Sequence, residues 1–325
     1  LALGIGTVTE VVLNIWISWY VEQKYPFLRQ RRKEKSTSSL TKRIVRDLKS
    51  LFISRISEKM LYCTDNLIIS GFIGVGTVGR YANYCMITQA ISNILTILAN
   101  TIQPTVGDYF TEKNHQRNYE ILRQLTFGFF CIASVVSIGL FSLITPFVRD
   151  IWLGPSYELG WGITVLCIVV LLVRIMGLPL SLVMGVTGLF EKEKNVGASS
   201  ALLNLIVSLA LVKPYGMAGV LLGTLLSYLL QIVYRYIIYF RDFLEMPGEA
   251  LRYAQDIGEY LAVIAGEVLL MQKIVPLVYG AGGMLLFCVC FLLCIAIPLL
   301  LDLVIFGRGW RLQSIITMVK GMRKA

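Results

Sequence analysis

The chain has 325 residues, of which 56% are hydrophobic and only 15% are charged, and its net charge is +10. Soluble domains carry about a quarter charged residues, and apolar runs recur here along the whole length, which excludes a soluble domain on a single anchor. The charges lie in the breaks between apolar runs, so the basic balance is that of a membrane protein and predicts no nucleic acid partner.

Nine apolar runs are long enough to cross a bilayer, which takes about 20 residues. They predict spans at about 1–21, 50–75, 82–109, 122–148, 160–188, 197–213, 216–239, 257–276 and 281–306. The breaks between them alternate in charge, with 23 Lys and Arg residues in the odd breaks and 4 in the even ones. The basic side of a membrane protein is cytoplasmic, so the sequence predicts a multi-pass protein with a cytoplasmic C-terminus.

The second span carries a polar stripe, which fills an arc of roughly 120° on a helix drawn at about 100° per residue. Its members are Arg55, Glu58, Lys59, Tyr62, Asp65, Asn66 and Ile69. A stripe of this kind must face other helices or a water-filled cavity. Asp65 lies near mid-span and is either a hydrogen-bond hub or an ion- or proton-coupling carboxylate, and Glu58 is a second coupling candidate.

The third span repeats the pattern with uncharged side chains on one narrow stripe, namely Gln89, Asn93, Thr96, Asn100 and Gln103. Amides in this arrangement either join helices through hydrogen bonds or line a path for a hydroxyl-rich cargo.

Arg174 lies near the middle of the fifth span, where a charge is costly. Three interpretations remain open: an ion pair with Asp65 or another carboxylate, an anion site for cargo, or a contact with helix carbonyls. Glu267 in the eighth span is a similar isolated charge. Gly219 and Gly223 form a small-xxx-small pair that predicts close helix packing.

Enzymatic chemistry finds no support in the sequence. It contains no GxxxxGK[ST], HExxH or GxSxG motif and no GxGxxG after a strand, and its one histidine is His115. The seven cysteines lie inside apolar runs without a CxxC pair, so neither a disulfide framework nor a metal site is expected. We therefore predict no catalytic residues, no metal ligands and no cofactor beyond a coupling ion, Na⁺ or H⁺.

Several stretches resemble the bacterial polysaccharide flippases, which are the O-antigen, capsule and teichoic-acid exporters of the multidrug/oligosaccharidyl-lipid/polysaccharide exporter superfamily. The longest, at 62–84, reads YCTDNLIISGFIGVGTVGRYANY. The others are IQPTVG at 102–107, PFVRDIWLG at 146–154, the stretch 188–204 and YGMAGVLLGT at 215–224. Together they follow the family's order from about residue 50 to residue 240.

The resemblance implies a MATE-like fold, in which two six-helix lobes enclose a central cavity. Residues 1–21 would be the last helix of a first lobe that is truncated here, and 22–49 the basic cytoplasmic linker between the lobes. Residues 50–240 would be the six-helix second lobe. Residues 241–325 would add two transmembrane helices and a basic cytoplasmic tail.

The implied activity is the flipping of an oligosaccharide linked to a polyprenyl diphosphate across the bacterial cytoplasmic membrane by alternating access. Its partners would be this lipid-linked oligosaccharide, membrane lipids and glycan-assembly proteins. The resemblance offers the cationic Arg55, Lys59 and Arg174 for the diphosphate, and amides for the sugars, namely Asn66, Gln89, Asn93, Asn100 and Gln103.

Three other functions stay open. A multidrug cation antiporter of the same superfamily would need an acidic cavity, whereas the spans hold as many basic as acidic residues among those singled out. A membrane-embedded glycan polymerase or ligase usually has a large external loop, and none predicted here exceeds about a dozen residues. A silent remnant of a longer transporter is the third.

Overall fold

The computed structural model describes residues 2–25, 38–110, 114–280 and 283–307. Within these ranges the protein consists of nine α-helices and contains no strand. The helices are α1 (Ala2–Lys24), α2 (Ser38–Phe72), α3 (Val75–Tyr109), α4 (His115–Pro146), α5 (Trp161–Val186), α6 (Phe190–Tyr215), α7 (Met217–Ile238), α8 (Pro247–Tyr279) and α9 (Met284–Phe306). Single π-helical turns extend α4 through Phe147–Trp152 and α7 through Tyr239–Phe243.

Seven of the described helices, α3 to α9, are long and apolar enough to cross a membrane by length and composition. The prediction of an all-α polytopic membrane protein is confirmed. Helices α1 and α2 fall outside this set of seven. In α2 the cause is composition, because its first half carries Lys and Arg residues and its second half carries the polar stripe around Asp65.

The basic linker predicted at 22–49 is shorter than expected, because α1 reaches Lys24 and α2 begins at Ser38. Leu40, Ile44 and Leu48 recur at helical spacing among the basic residues, which is the pattern of an amphipathic helix. The linker had been defined from its charge alone, so the helix that occupies its second half was not predicted. Residues 26–37 lie outside the described part of the chain.

The chain divides into two compact units, Leu1–Arg46 and Asp47–Ala325. The first unit contains α1, where the rings of Trp16 and Tyr20 stack with their centroids 6.2 Å apart. The second unit contains α3 to α9 and most of α2, and the following account concerns this unit.

Helices α6 and α7 form a tight hairpin that confirms the small-xxx-small prediction. The chain turns at Gly216, whose φ of 57° lies in the left-handed region that favours glycine. A Cβ on Gly219 would overlap the backbone carbonyl of Leu211, and one on Gly223 would overlap Ser208 Oγ. Helix α7 also packs on α5, which contacts α3 and α4, and α4 in turn contacts α8 and α9.

Ion pairs join the helix ends at one side of the second unit. Arg123 Nε of α4 lies 2.6 Å from Asp256 Oδ2 of α8, and Lys192 Nζ of α6 lies 2.6 Å from Asp242 Oδ2 after α7. At the opposite end, Tyr279 Oη donates to Asp150 Oδ2 at 3.2 Å. The breaks that the sequence assigns to the basic side therefore meet at one end, and two of the sparsely charged breaks meet at the other.

Candidate functional site

A cavity of about 70 Å³ lies among α2, α3, α5 and α7, and most of its wall is apolar. The polar side chains in the wall include Asp65, Thr88, Gln89, Arg174 and Thr224. A single water needs only about 10–15 Å³ by a comparable measure. The cavity therefore has room for a few waters or a hydrated ion.

Asp65 is buried at the end of a hydrogen-bond chain that crosses three helices. Thr224 Oγ1 of α7 donates to Asp65 Oδ2 at 2.8 Å, and Asn204 Nδ2 of α6 donates to Thr224 Oγ1 at 2.9 Å. The Oδ1 atoms of Asp65 and Asn204 are buried and have no hydrogen-bond partner. Each of the two side chains that form hydrogen bonds with the Thr224 hydroxyl thus keeps one oxygen with free lone pairs.

Close packing of α6 on α7 builds this arrangement. Thr224 follows Gly223, where a Cβ would lie 3.2 Å from the Asn204 carbonyl oxygen in addition to its overlap with Ser208. Without a side chain at this position the two backbones approach closely, and Asn204 comes within hydrogen-bond distance of Thr224. Ser208, one turn after Asn204, donates to the Val220 carbonyl oxygen at 3.3 Å.

The neighbouring oxygens are of the kind that hard cations prefer, namely carboxylate, amide, hydroxyl and backbone carbonyl. They belong to Asp65, Asn204, Ser208, Val220 and Thr224. No cluster of three or more His, Cys, Asp or Glu side chains that could hold a metal occurs among the described residues. Oxygen atoms of these kinds suit Na⁺ or a proton better than a transition metal, which prefers nitrogen or sulfur ligands.

Arg174 of α5 is half-buried and lines the same cavity as Asp65. Asp65 forms no ion pair with any side chain that the structure describes, because Oδ2 accepts from Thr224 and Oδ1 has no partner. The Asp65–Arg174 ion pair is therefore wrong, whereas an ion pair with another carboxylate, an anion site for cargo and a contact with helix carbonyls all remain open for Arg174.

The amide stripe of α3 is split between the cavity and the outer surface. The buried face of this helix carries Ser92, Leu95, Ala99 and Val106, and the stripe lies along the edge of that face. Gln89, which lines the cavity, and Gln103, which packs against Gly185, are half-buried; Asn93 and Asn100 are exposed. The stripe does not enter the cavity as a unit.

The polar stripe of α2 is split as well. Asp65 and Ile69 are buried, but Asn66, predicted on the same arc, is exposed. The step of about 100° from Asp65 to Asn66 turns the second side chain away from α7. The side chains of Arg55, Glu58 and Lys59 lie outside the described part of the structure.

Sequence reasoning missed the side chains that are linked to Asp65. Neither Thr224 nor Asn204 was predicted to lie near it, although the spacing of Gly219, Gly223 and Thr224 already indicates that the threonine borders the closest approach of two helices.

The helices define the class of the molecule, which is a multi-pass, all-helical membrane protein with a small cavity in its second unit, and Asp65 and Arg174 line this cavity. Comparisons with protein-family models, with curated proteins and with solved structures gave no significant match.

Proposed function

We propose that the protein belongs to a bacterial exporter of lipid-linked oligosaccharides that works by alternating access in the cytoplasmic membrane, with its basic tail in the cytoplasm. One observation carries the proposal: Asp65, Gln89 and Arg174, from three different helices, line one cavity. Charged side chains within spans are costly and usually functional. The flippase resemblance of 62–84 and 215–224 covers two of the walls of this cavity.

The cavity serves ion binding in this proposal, because its volume of about 70 Å³ has room for a few waters or a hydrated ion. The cargo lies instead along the exposed edge of α3, where Asn93 and Asn100 offer amides to sugar hydroxyls. Arg174 lines the cavity and is half-buried, and a guanidinium binds a diphosphate through paired hydrogen bonds.

Asp65 binds the coupling cation. Rotation of the Asn204 amide would turn its free Oδ1 towards Thr224, so that a cation near Asp65 Oδ1 meets carboxylate, amide and hydroxyl oxygens. The site joins α2 to the α6–α7 hairpin. Occupancy therefore favours the arrangement in which α2 rests on α7, and release of the cation frees α2 to move, as alternating access requires.

The cation site is tested by the thermal stability of the purified full-length protein in NaCl and in choline chloride at equal ionic strength. A cation at 100 times its dissociation constant stabilises the folded state by about 2.7 kcal/mol. We expect Na⁺ to raise the melting temperature of the wild type but not of Asp65→Asn. Asp302→Asn, the same change at another buried position, should keep the Na⁺ response. Equal responses in all three proteins would contradict the site.

The cargo role is tested by complementation of an export-deficient strain with the full-length gene, with surface polysaccharide as the readout. Arg174→Ala should abolish export at normal protein level, and Arg174→Lys should restore part of it. Arg241→Ala is the matched control, because its side chain is 73% exposed, and should export normally. Normal export by Arg174→Ala would remove this residue from the site.

A multidrug cation antiporter is the second candidate, and the buried acid Asp65 in the cavity wall favours it. It predicts efflux of cationic dyes that is lost in Asp65→Asn and retained in Arg174→Ala. The exporter of lipid-linked glycan predicts no dye efflux in any of these proteins.

A further inference from the structure

A second buried acidic group lies far along the chain from Asp65, between α4, α8 and α9. Glu267 of α8 and Asp302 of α9 are each only 4% exposed. Ser134 Oγ of α4 donates to Glu267 Oε2 at 2.6 Å. Glu267 Oε1 and both carboxylate oxygens of Asp302 are buried without a hydrogen-bond partner, and the two carboxyls lie within electrostatic range of each other.

Aromatic side chains close this group off towards the ends of the helices where the basic breaks meet. Phe130 stacks on Tyr260 with the ring centroids 4.5 Å apart, and Phe306 packs edge-on against Phe127 and Phe130 at 5.5 Å. These rings come from α4, α8 and α9, the same three helices that supply Ser134, Glu267 and Asp302. The packed rings therefore lie between the carboxyls and these helix ends.

An apolar cluster closes the group off towards the other end. It consists of Ile138, Leu143, Met271, Val275, Cys290 and Cys294. Along each of the three helices the order is therefore the same: aromatic residue, polar residue, apolar residue. The carboxyls therefore occupy a layer between aromatic and apolar residues, in the seam where α4, α8 and α9 meet.

Two ionised carboxylates in such a layer would be strongly disfavoured. An isolated buried charge costs many kcal/mol, and a group in this situation neutralises instead. No basic side chain of the described residues forms an ion pair with either acid. Among the described residues, Cys131 of α4 lies within electrostatic range of both acids and supplies no positive charge.

We propose that Glu267, Asp302 and Ser134 form a proton-binding site in the α4–α8–α9 seam, separate from the site at Asp65. At neutral pH at least one of the two carboxyls carries a proton, and the Ser134 hydroxyl holds Glu267 in place. When α8 and α9 part from α4, water reaches the layer and the proton exchanges. Protonation of the site therefore favours the arrangement in which α8 and α9 stay packed against α4.

The experiment uses dicyclohexylcarbodiimide, an apolar reagent that attacks carboxyls in their protonated form, on the full-length protein in membranes. Mass spectrometry of the peptides locates the label. We expect label on Glu267 or Asp302 at pH 6 and at least about a tenfold lower labelling rate at pH 10. The reason is that the protonated fraction of a carboxyl falls about tenfold for each pH unit above its pKa. Labelling that is independent of pH across this range would overturn proton exchange.

An infrared spectrum of the purified protein gives a second readout that does not depend on reagent access. The carbonyl stretch of a protonated carboxylic acid should be present at pH 7, shift in D₂O after seam opening, and weaken in Asp302→Asn or Glu267→Gln. Asp65→Asn, a change outside the seam, should leave the labelling of Glu267 and Asp302 unchanged. A spectrum in which neither seam variant changes this band would show that both carboxyls are ionised and would refute the site.

Discussion

Replacement of Thr224 by Val tests whether the Asp65 chain is one cooperative unit. The two side chains have nearly the same shape, so the change removes a hydroxyl without opening a cavity. In the structure that hydroxyl donates to Asp65 Oδ2 at 2.8 Å and accepts from Asn204 Nδ2 at 2.9 Å. The variant therefore leaves two buried groups, the Asp65 carboxylate oxygen and the Asn204 N–H, without their hydrogen-bond partner.

The magnitude follows from the number of groups left without a partner. Each unsatisfied buried group costs about 1–3 kcal/mol, and a charged one costs more. We expect Thr224→Val to lower the free energy of unfolding by about 2–4 kcal/mol, measured by reversible unfolding in mixed detergent micelles. Thr224→Ser, which keeps the hydroxyl, should recover most of the loss.

Thr88→Val is the matched control, because Thr88 lines the same cavity but its hydroxyl donates only to carbonyls of its own helix, at Tyr84 and Cys85, 3.2 Å away. It should cost less than about 1 kcal/mol. In an Asp65→Asn background, Thr224→Val should cost less than in the wild type, by a coupling energy of about 0.5–3 kcal/mol. Equal costs for the two threonines, with no coupling to Asp65, would refute the chain as a unit.

Two further substitutions test the packing of the second unit. Gly219→Ala should prevent the close approach of α6 and α7, because the added Cβ would overlap the rigid backbone carbonyl of Leu211. It should lower both the melting temperature and the yield of the protein. Gly128→Ala, which has nothing within 4 Å of the added Cβ, should leave both unchanged. Arg235→Ala should lower the free energy of unfolding by up to about 3 kcal/mol, because Arg235 is 7% exposed and its glutamate partner on α6 would lose its counter-charge. The exposed ion pair of Arg241 should contribute less than about 1 kcal/mol. Similar losses for both arginines would contradict this reasoning.

The sequence allowed the prediction of the helices and of the residues whose presence in a span is costly. Asp65 and Arg174 were identifiable because a charge within an apolar run needs a hydrated or polar environment. Gln89 followed from helical spacing, and the glycine pair predicted the hairpin of α6 and α7. These inferences use the geometry of one helix at a time, which is why they carried over to the structure.

The partners across helices were beyond that reasoning. The contacts of Thr224 and Asn204 with Asp65 depend on the order in which the helices pack. The same limit separates Asn93 from Gln89, since a difference of a few tens of degrees at the edge of a helix contact decides between the outer surface and the cavity. Asp302 did carry a signal, as an acid within an apolar span, and was overlooked.

The two buried acidic sites differ in their access to water, and this difference separates their chemistry. Asp65 lines a cavity with room for water, and a hydroxyl already donates to it, so an ionised carboxylate and a small cation are both compatible with its surroundings. Glu267 accepts from one hydroxyl and Asp302 from no described side chain, within a layer that lies between aromatic and apolar residues. A cation can therefore exchange at Asp65 without a change of fold, whereas exchange at the seam requires the helices to part.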